Sequence, residues 1–452
     1  VSRELLQTRP VARTGTPIGY LDWNISFEIA LPAEGASTYG TDVYGTAVYS
    51  LIAWQSLTES VRGVNWQRGS DSPGDRPRTG FATLQLDNRD RAWTPWLDEP
   101  MAVYRGPGTL IRWTCHSPDS WIPQFAGIVE EWIEQTDGAS NENVVLITLQ
   151  ETVGTLGGID NNTTTSGGAG SLAAGRVQRL LDAAGWIYGF FDEAESNVPL
   201  QATDMSLNRL AELHLTADST DSWFRSHRSG LAMLERVDPY DHPEYNFPTA
   251  ARYGTSLYGT GLYGVDFTNT WSTMRHASFW FSGITLSPWA PATSAADGTG
   301  RVAVTIAYNL DSLVPLNDLD YVRNDIRLAN EGGVVQVAQN TISMGRYGQH
   351  TLARLNLKTQ SATQVLAIAQ AIRARREYTV LRVESVQVFS RPGNLFPQVV
   401  IDLGDQVTVV LPDNTLEVFG HISHLEHSIT PLSRSGVVWE STIGLETYPG
   451  FV

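Results

Sequence analysis

The 452-residue chain has a single cysteine, Cys115, so it contains no internal disulfide framework and no cysteine-based zinc site. It has no run of eighteen apolar residues, which excludes a membrane-spanning helix. Its opening residues, VSRELLQTRP, lack the apolar stretch that a secretory signal needs. Positive charge is scarce: 31 Lys and Arg stand against 48 Asp and Glu, a formal net charge of −17. That balance argues against gripping DNA by its phosphates and suits a wall past which nucleic acid slides without sticking. Motifs of common catalysis are missing too, with no GxSxG, HExxH, P-loop or GxGxxG. We expect no enzymatic activity and no cofactor.

What is present favours β-structure. There are 14 Trp and 40 Gly, set among short alternating apolar runs. The length suggests two to four domains, each able to bury a core. A glycine-led stretch near residues 106–150 returns near the C-terminus. The first copy reads GPGTLIRW, FAGIVEEWIEQ and VVLITLQ; the second reads LGDQVTVVL, VFGHISHLEHSI and VVWESTIGLE. Gly127 and Val144 are 17 residues apart, as are Gly420 and Val437, while Gly108 and Gly404 open the two copies. Each copy is a glycine turn and three strands, so one β-module is used twice.

Two stretches place tyrosines at a period of five: Tyr39, Tyr44 and Tyr49, then Tyr253, Tyr258 and Tyr263. Five matches neither the strand period of about 2 nor the helix period of about 3.6, so both read as glycine-interrupted loops. Their rings either form a contact surface for sugars or a protein neighbour, or pack on their own domain.

Between the modules, GGIDNNTTTSGGAG (157–170) reads as a joint. SLAAGRVQRLLDAAGW follows as a helix, with Ser171 as N-cap, Gly185 as stop, and Ala173, Val177, Leu180, Leu181 and Ala184 on one face. A second helix is expected over 205–217, burying Leu207, Leu210, Ala211 and His214, and then a hairpin turning at Ser229-Gly230. Further on, strands are expected in HASFWFSGITLSPW and RVAVTIAYNL, and a hairpin in IRLANEGGVVQVAQ. Residues 361–376 read as a helix with Val365, Ile368, Ala369 and Ile372 inward. Arg373, Arg375 and Arg376 in its last turn either complement the helix dipole or meet a phosphate or an acidic partner.

Three clusters invite a chemical reading and decline it. Asp87-Asn88-Arg89-Asp90 lacks the glycine and glutamate of a calcium loop and reads as a tight turn. Glu130, Glu131 and Glu134 lie on a strand, where Glu130 and Glu134 should flank Trp132 on a solvated face. His421, His424 and His427 also fall on a strand. Alternation turns His424 away and leaves the other two about 20 Å apart at ~3.3 Å per residue, too far to share a metal.

Taken in order, VRGVNWQRG, TGFATLQLDNRDRAWTP, GPGTLIRW, FAGIVEEW, LLDAAGW, MSLNRLAEL, SWFRSHRSGLAMLER, IRLANEGG, LGDQVTVVLP and FGHISHLEHSIT resemble the baseplate hub, or minor tail, proteins of long-tailed (siphovirus-type) actinobacteriophages. The resemblance is one of pattern and spans about 61–450. It implies a mainly β fold with an α+β insert and two tail-tube-like β-barrel modules. It also implies a homotrimer at the virion tail tip that contacts the distal tail ring protein, the tape measure protein and other minor tail or receptor-binding proteins while phage DNA passes unbound. The matching scheme is a first barrel (1–156), a linker (157–170), an α+β insert (171–240), a β-rich middle (241–345) and a helix with the second barrel (346–452). A host-glycan-binding adhesin using the tyrosine loops is the alternative; a tail-borne hydrolase would need a carboxylate or zinc site that the sequence does not offer.

Overall fold

The computed structural model describes residues 24–32, 52–70, 76–96, 105–117, 120–137, 142–159, 171–186, 188, 190–192, 198–203, 207–236, 276–280, 302–303, 314–316, 319–379, 382–389, 402–403, 406–410, 417–432 and 436–447. Seven strands come first: β1 (Asn24–Pro32), β2 (Ile52–Ser56), β3 (Val61–Gly69), β4 (Arg78–Asp87), β5 (Leu110–Ser117), β6 (Ser120–Asp137) and β7 (Glu142–Glu151). They lie side by side as β3-β4-β7-β6-β5-β1-β2, every pair antiparallel. Alternation fixes their faces: in β4, Ala82, Leu84 and Leu86 are buried while Phe81 points to solvent.

A 3-10 turn (Thr152–Gly158) leads into the insert: β8 (Ser171–Leu172), α1 (Ala173–Ala183), β9 (Phe190–Asp192), β10 (Pro199–Leu200), α2 (Arg209–Asp218), β11 (Ser222–Ser226) and β12 (Ala232–Arg236). The N-cap of α1 is Leu172, not Ser171, because Ser171 is held in β8 against Leu200. At the other end Gly185 (φ +66°) completes a Schellman turn, with Gly185 N donating to Asp182 O and Trp186 N to Leu181 O. The second helix begins later than its pattern suggests. Asn208 caps it by accepting from Ala211 N, and its buried face is Arg209, Glu212, Leu213, Thr216 and Ala217, leaving Leu207 exposed. The β11–β12 hairpin turns through Ser229 and Gly230, the latter at φ +86°.

Next come β13 (His276–Trp280), β14 (Val302–Ala303) and β15 (Val314–Leu316), then a small unit of β16 (Asp325–Asn330), β17 (Gln336–Gln339), α3 (Thr341–Tyr347), β18 (Thr351–Leu357) and α4 (Ala362–Arg376). β16 pairs antiparallel with β17 through a turn containing Gly332 (φ +71°), and parallel with β18. Val365, Ala369 and Ile372 of α4 close a core with Ile326 and Leu328. The expected boundary between 345 and 346 falls inside α3, and this sheet joins residues from both sides of it.

The last strands are β19 (Arg382–Phe389), β20 (Gln406–Val410), β21 (Glu417–Leu432) and β22 (Gly436–Thr447). They repeat the first region's order. Where that region runs β3-β4-β7-β6-β5, this one runs β15-β19-β22-β21-β20, again all antiparallel. The repeat is also exact in its irregularity. β6 bulges at Glu130, three residues past Gly127, and β21 bulges at Ser423, three residues past Gly420. β21 pairs with β3, so both regions share one 14-stranded sheet and one core. At its centre Trp66 lies 5.3 Å from Trp113 and 5.7 Å from Trp439, ring to ring. Truncating one of these buried rings would cost about 3–5 kcal/mol.

Candidate functional site

The six tyrosines and Gly404 lie outside the described residues. Gly108 (φ +89°) sits in the turn before β5, its N–H donating to Val129 O, and open space surrounds its missing side chain. Gly127 is different. A Cβ there would lie 2.6 Å from the Phe125 ring and 2.7 Å from Gln150 O, so only hydrogen fits between neighbouring strands. Gly420 holds the matching register position on β21.

The clusters of the sequence resolve into supports. Asp87 and Asp90 accept from the N–H groups of Arg89 and Ala92, which makes the 87–92 segment a turn. The bulge at Glu130 breaks the expected alternation, so Glu134 does not join the solvated face. It is buried and accepts from Asn88 Nδ2 at 3.2 Å and Thr94 Oγ1 at 3.1 Å. The bulge at Ser423 acts likewise on the histidines. His427 enters the core with Ile422, Leu425 and Ile429, and its Nδ1 accepts from Trp439 Nε1 and Ser441 Oγ. Burial draws its pKa down to about 3. His214 rests edge-on against Phe224, and burial lowers its pKa to about 4. Among the described residues no group of three or more His, Cys, Asp or Glu is placed to hold a metal ion.

The arginines of α4 bind within the chain. Arg373 pairs with Glu377, Arg375 with Asp221 of the insert at 2.8 Å, and Arg376 lies over the Tyr321 ring. Asp218, at the end of α2, takes Arg76 and Arg354 together. Arg375–Asp221 and Arg354–Asp218 fasten the small α/β unit to the insert.

The densest chemistry lies at the seam between the two β-regions. β3 runs antiparallel to β21, from Gly69 opposite His424 to Val64 opposite Ile429. Gly69 has φ +94°, and a Cβ on it would stand 2.1 Å from Ser423 O, the bulge carbonyl; Ser70 N donates to that same oxygen at 2.9 Å. Beside it Arg68, 2% exposed, reaches three parts of the molecule: Glu151 at the end of β7 (2.5 Å), Asp402 before β20, and Ser226 O of the insert (2.7 Å). Glu151 also accepts from Gly80 N at 2.7 Å. From the insert hairpin, Arg225 bonds Glu235 at 2.8 Å and Leu403 O at 2.8 Å, while Arg228 and His227 stand 3.9 and 3.7 Å from Asp402.

This node balances. Three guanidinium groups (Arg68, Arg225, Arg228) meet three carboxylates (Glu151, Glu235, Asp402). Burial alone would raise the Asp402 pKa, but Arg68, Arg225 and Arg228 hold its carboxyl well below the usual range. Burial opposes the Arg68 charge, and Asp402 and Glu151 outweigh it and raise its pKa. His227 stays neutral because burial draws its pKa down to about 3. Each charged member stands within 4 Å of an opposite charge, so the arrangement clamps chain segments to one another. By its pattern SWFRSHRSG is only a hairpin. The one signal of the clamp was two arginines flanking a histidine in a strand otherwise fit for a core.

No protein-family model matches the sequence, and no curated protein matches it. Solved structures do. A tail protein from Neisseria meningitidis aligns over 95% of this chain and 97% of its own, at 10% identity and a TM-score of 0.52. The 43 kDa tail protein of prophage MuSo2 from Shewanella oneidensis covers 93% and 95% at 10% identity, with a TM-score of 0.49. The prophage tail protein gp18 from Listeria monocytogenes covers 86% and 90% at 8% identity, with a TM-score of 0.41. Across nearly its whole length, this mainly β chain with its α+β insert shares the fold of the N. meningitidis tail protein.

Proposed function

We propose that the protein is a structural component of a phage-type tail: a baseplate hub, or minor tail, subunit at the tail tip of a siphovirus-type particle. The observation that carries this reading is the duplicated five-strand module joined edge to edge in one sheet. Two related modules per chain make six per homotrimer, which fits a sixfold tube. In this reading each module belongs to a tail-tube-like barrel, and the net charge of −17 lets DNA pass the lumen without adhering. The distal tail ring protein, the tape measure protein and other minor tail or receptor-binding proteins are the partners. The domain scheme set out from the sequence goes with it, except that β15 is assigned to the second module and α3, which the 345/346 boundary cuts, stays with the small α/β unit; the loops carrying Tyr39, Tyr44, Tyr49, Tyr253, Tyr258 and Tyr263 are assigned to peripheral contacts. The role is architectural and involves no catalysis.

The test is the mass of the purified chain by light scattering, with class averages from electron microscopy and antibody labelling of whole particles. We expect a trimer with pseudo-sixfold ring views and label on the tail axis at its tip. A monomer that coats host cells and is absent from the axis would overturn the hub in favour of an adhesin.

A further inference from the structure

The two modules agree in strand order and bulge position but differ in one respect. Beyond its bulge, β21 pairs with β22 on one side and with β3 on the other. Beyond its own bulge, β6 pairs among the described residues with β7 alone, since β5 leaves it at Ile128. Aligning Gly127 with Gly420 sets Glu131–Thr136 of β6 on His424–Ile429 of β21, the stretch that forms the seam. Glu131, Ile133, Gln135 and Thr136 are exposed there, Ile133 to 44%. A sheet edge of this kind offers unpaired backbone donors and acceptors in a row. The chain also carries the strand that matches β3. It is β15, which pairs with β19 as β3 pairs with β4.

We propose that the free half of β6 receives the β15 edge of a neighbouring copy of this chain, so that the seam inside each chain is repeated between chains and the ring closes. The proposal rests on the ring reading above and names the surface that completes it. One internal junction of module against module exists already; a ring of such chains needs a second, and pseudo-symmetry requires the same pair of edges.

The register follows from the pairs in hand. Val386 faces Ile443 on β22 as Leu84 faces Ile147 on β7, so Ser385 stands where Thr83 stands. Ser385 pairs with Val314, and Thr83 with Asn65. Asn65 lies opposite Ser428 of β21, whose counterpart on β6 is Gln135. Val314 of one copy therefore comes opposite Gln135 of the next.

The experiment is a disulfide trap in the full chain. Gln135→Cys and Val314→Cys are made singly and together; the native Cys115 is buried and its thiol pKa is raised by burial, so it stays silent. Under mild oxidation the double variant should run as linked dimers and trimers on a denaturing gel, and each single variant as a monomer. Hydrogen exchange supplies a second readout on unmodified protein, because segment 131–137 should become protected on assembly. An oligomer that neither links through this pair nor protects this segment overturns the edge assignment and leaves the ring standing. A chain that is monomeric both in solution and in assembled particles removes the ring reading itself, and the edge with it.

Discussion

The two β-regions are built alike and finished differently, and the difference lies just past their shared bulge. In the second, Leu425, His427 and Ile429 turn inward beside β3, and the His427 ring lies against Trp66. In the first, the equivalent positions are Trp132, Glu134 and the exposed Thr136, and the 88–96 turn covers the first two: Trp132 Nε1 donates to Trp93 O, and Glu134 accepts from Asn88 and Thr94. Both modules point a polar side chain at the core where an apolar one would be simpler. His427 is satisfied by Ser441 and Trp439, whereas Glu134 gives one oxygen, Oε1, to the turn and buries Oε2 without a hydrogen bond among the described residues. A duplicated framework thus keeps strand order and bulges, which set its shape, and changes the side chains wherever its neighbours change.

The seam is the sharpest expression of that divergence, and breaking it should have the largest effect. Asp402→Ala would leave Arg68, Arg225 and Arg228 facing too few carboxylates in a dry site. Removing one partner of a buried ion pair costs about 3–5 kcal/mol, even though replacing the whole cluster with packed apolar groups can be nearly neutral. Chemical denaturation should show that loss for Asp402→Ala. The exposed pair Arg89–Asp87 offers a control, and removing its arginine should cost roughly 1 kcal/mol or less. Equal losses would mean that the node is not a clamp.

The glycines sharpen the comparison at the next scale. Gly69→Ala at the seam meets two obstacles, a left-handed φ and the Ser423 backbone at 2.1 Å. Left-handed strain of about 1–2 kcal/mol adds to overpacking of about 1–3 kcal/mol. Gly127→Ala inside the first module meets only crowding against the Phe125 ring and Gln150 O, and should cost about 1–3 kcal/mol. If Gly127→Ala proved the more damaging, the tight point of the fold would be the module interior and not the junction.

What the sequence made legible follows from the same physics. The three-strand repeat is legible because Gly127 admits no side chain and its counterpart returns at Gly420, but Val144 pairs with Gln135 and Val437 with Pro431, so the equal spacing to these valines does not mark equivalent positions. The other two matching strands, β3 with β15 and β4 with β19, share register, and TLQL of β4 and SVQV of β19 share their alternation and a glutamine (Gln85, Gln387), a pattern too short to stand out in the sequence. The ionic node was invisible because Arg68, Glu151, Arg225, Arg228 and Asp402 come from segments far apart in the chain and converge only on folding. α2 was misjudged at its face because Glu212 and Thr216 are buried by hydrogen bonding, which hydrophobic periodicity does not register. The glutamates of β6 were misjudged because one bulged residue shifts every later side chain to the other face.

The smallest effect tests the inward histidine of the second module by pH. Folding holds His427 neutral, with a pKa near 3 against about 6.5 when unfolded. Below about pH 6.5 the unfolded chain takes up a proton that the folded chain refuses, so stability falls as the pH drops toward the folded value. The slope is at most about 1.4 kcal/mol per pH unit for one group, or about 2 kcal/mol by pH 5. His227 and His214 contribute in the same direction from the insert. His427→Gln lowers stability near neutrality through lost ring packing against Trp66 and Trp439, yet it removes one histidine's share of the acid slope. Denaturation midpoints taken between about pH 7 and pH 5 should therefore run flatter in His427→Gln than in the parent chain. A parent-like slope in His427→Gln would show that the acid sensitivity does not come from His427.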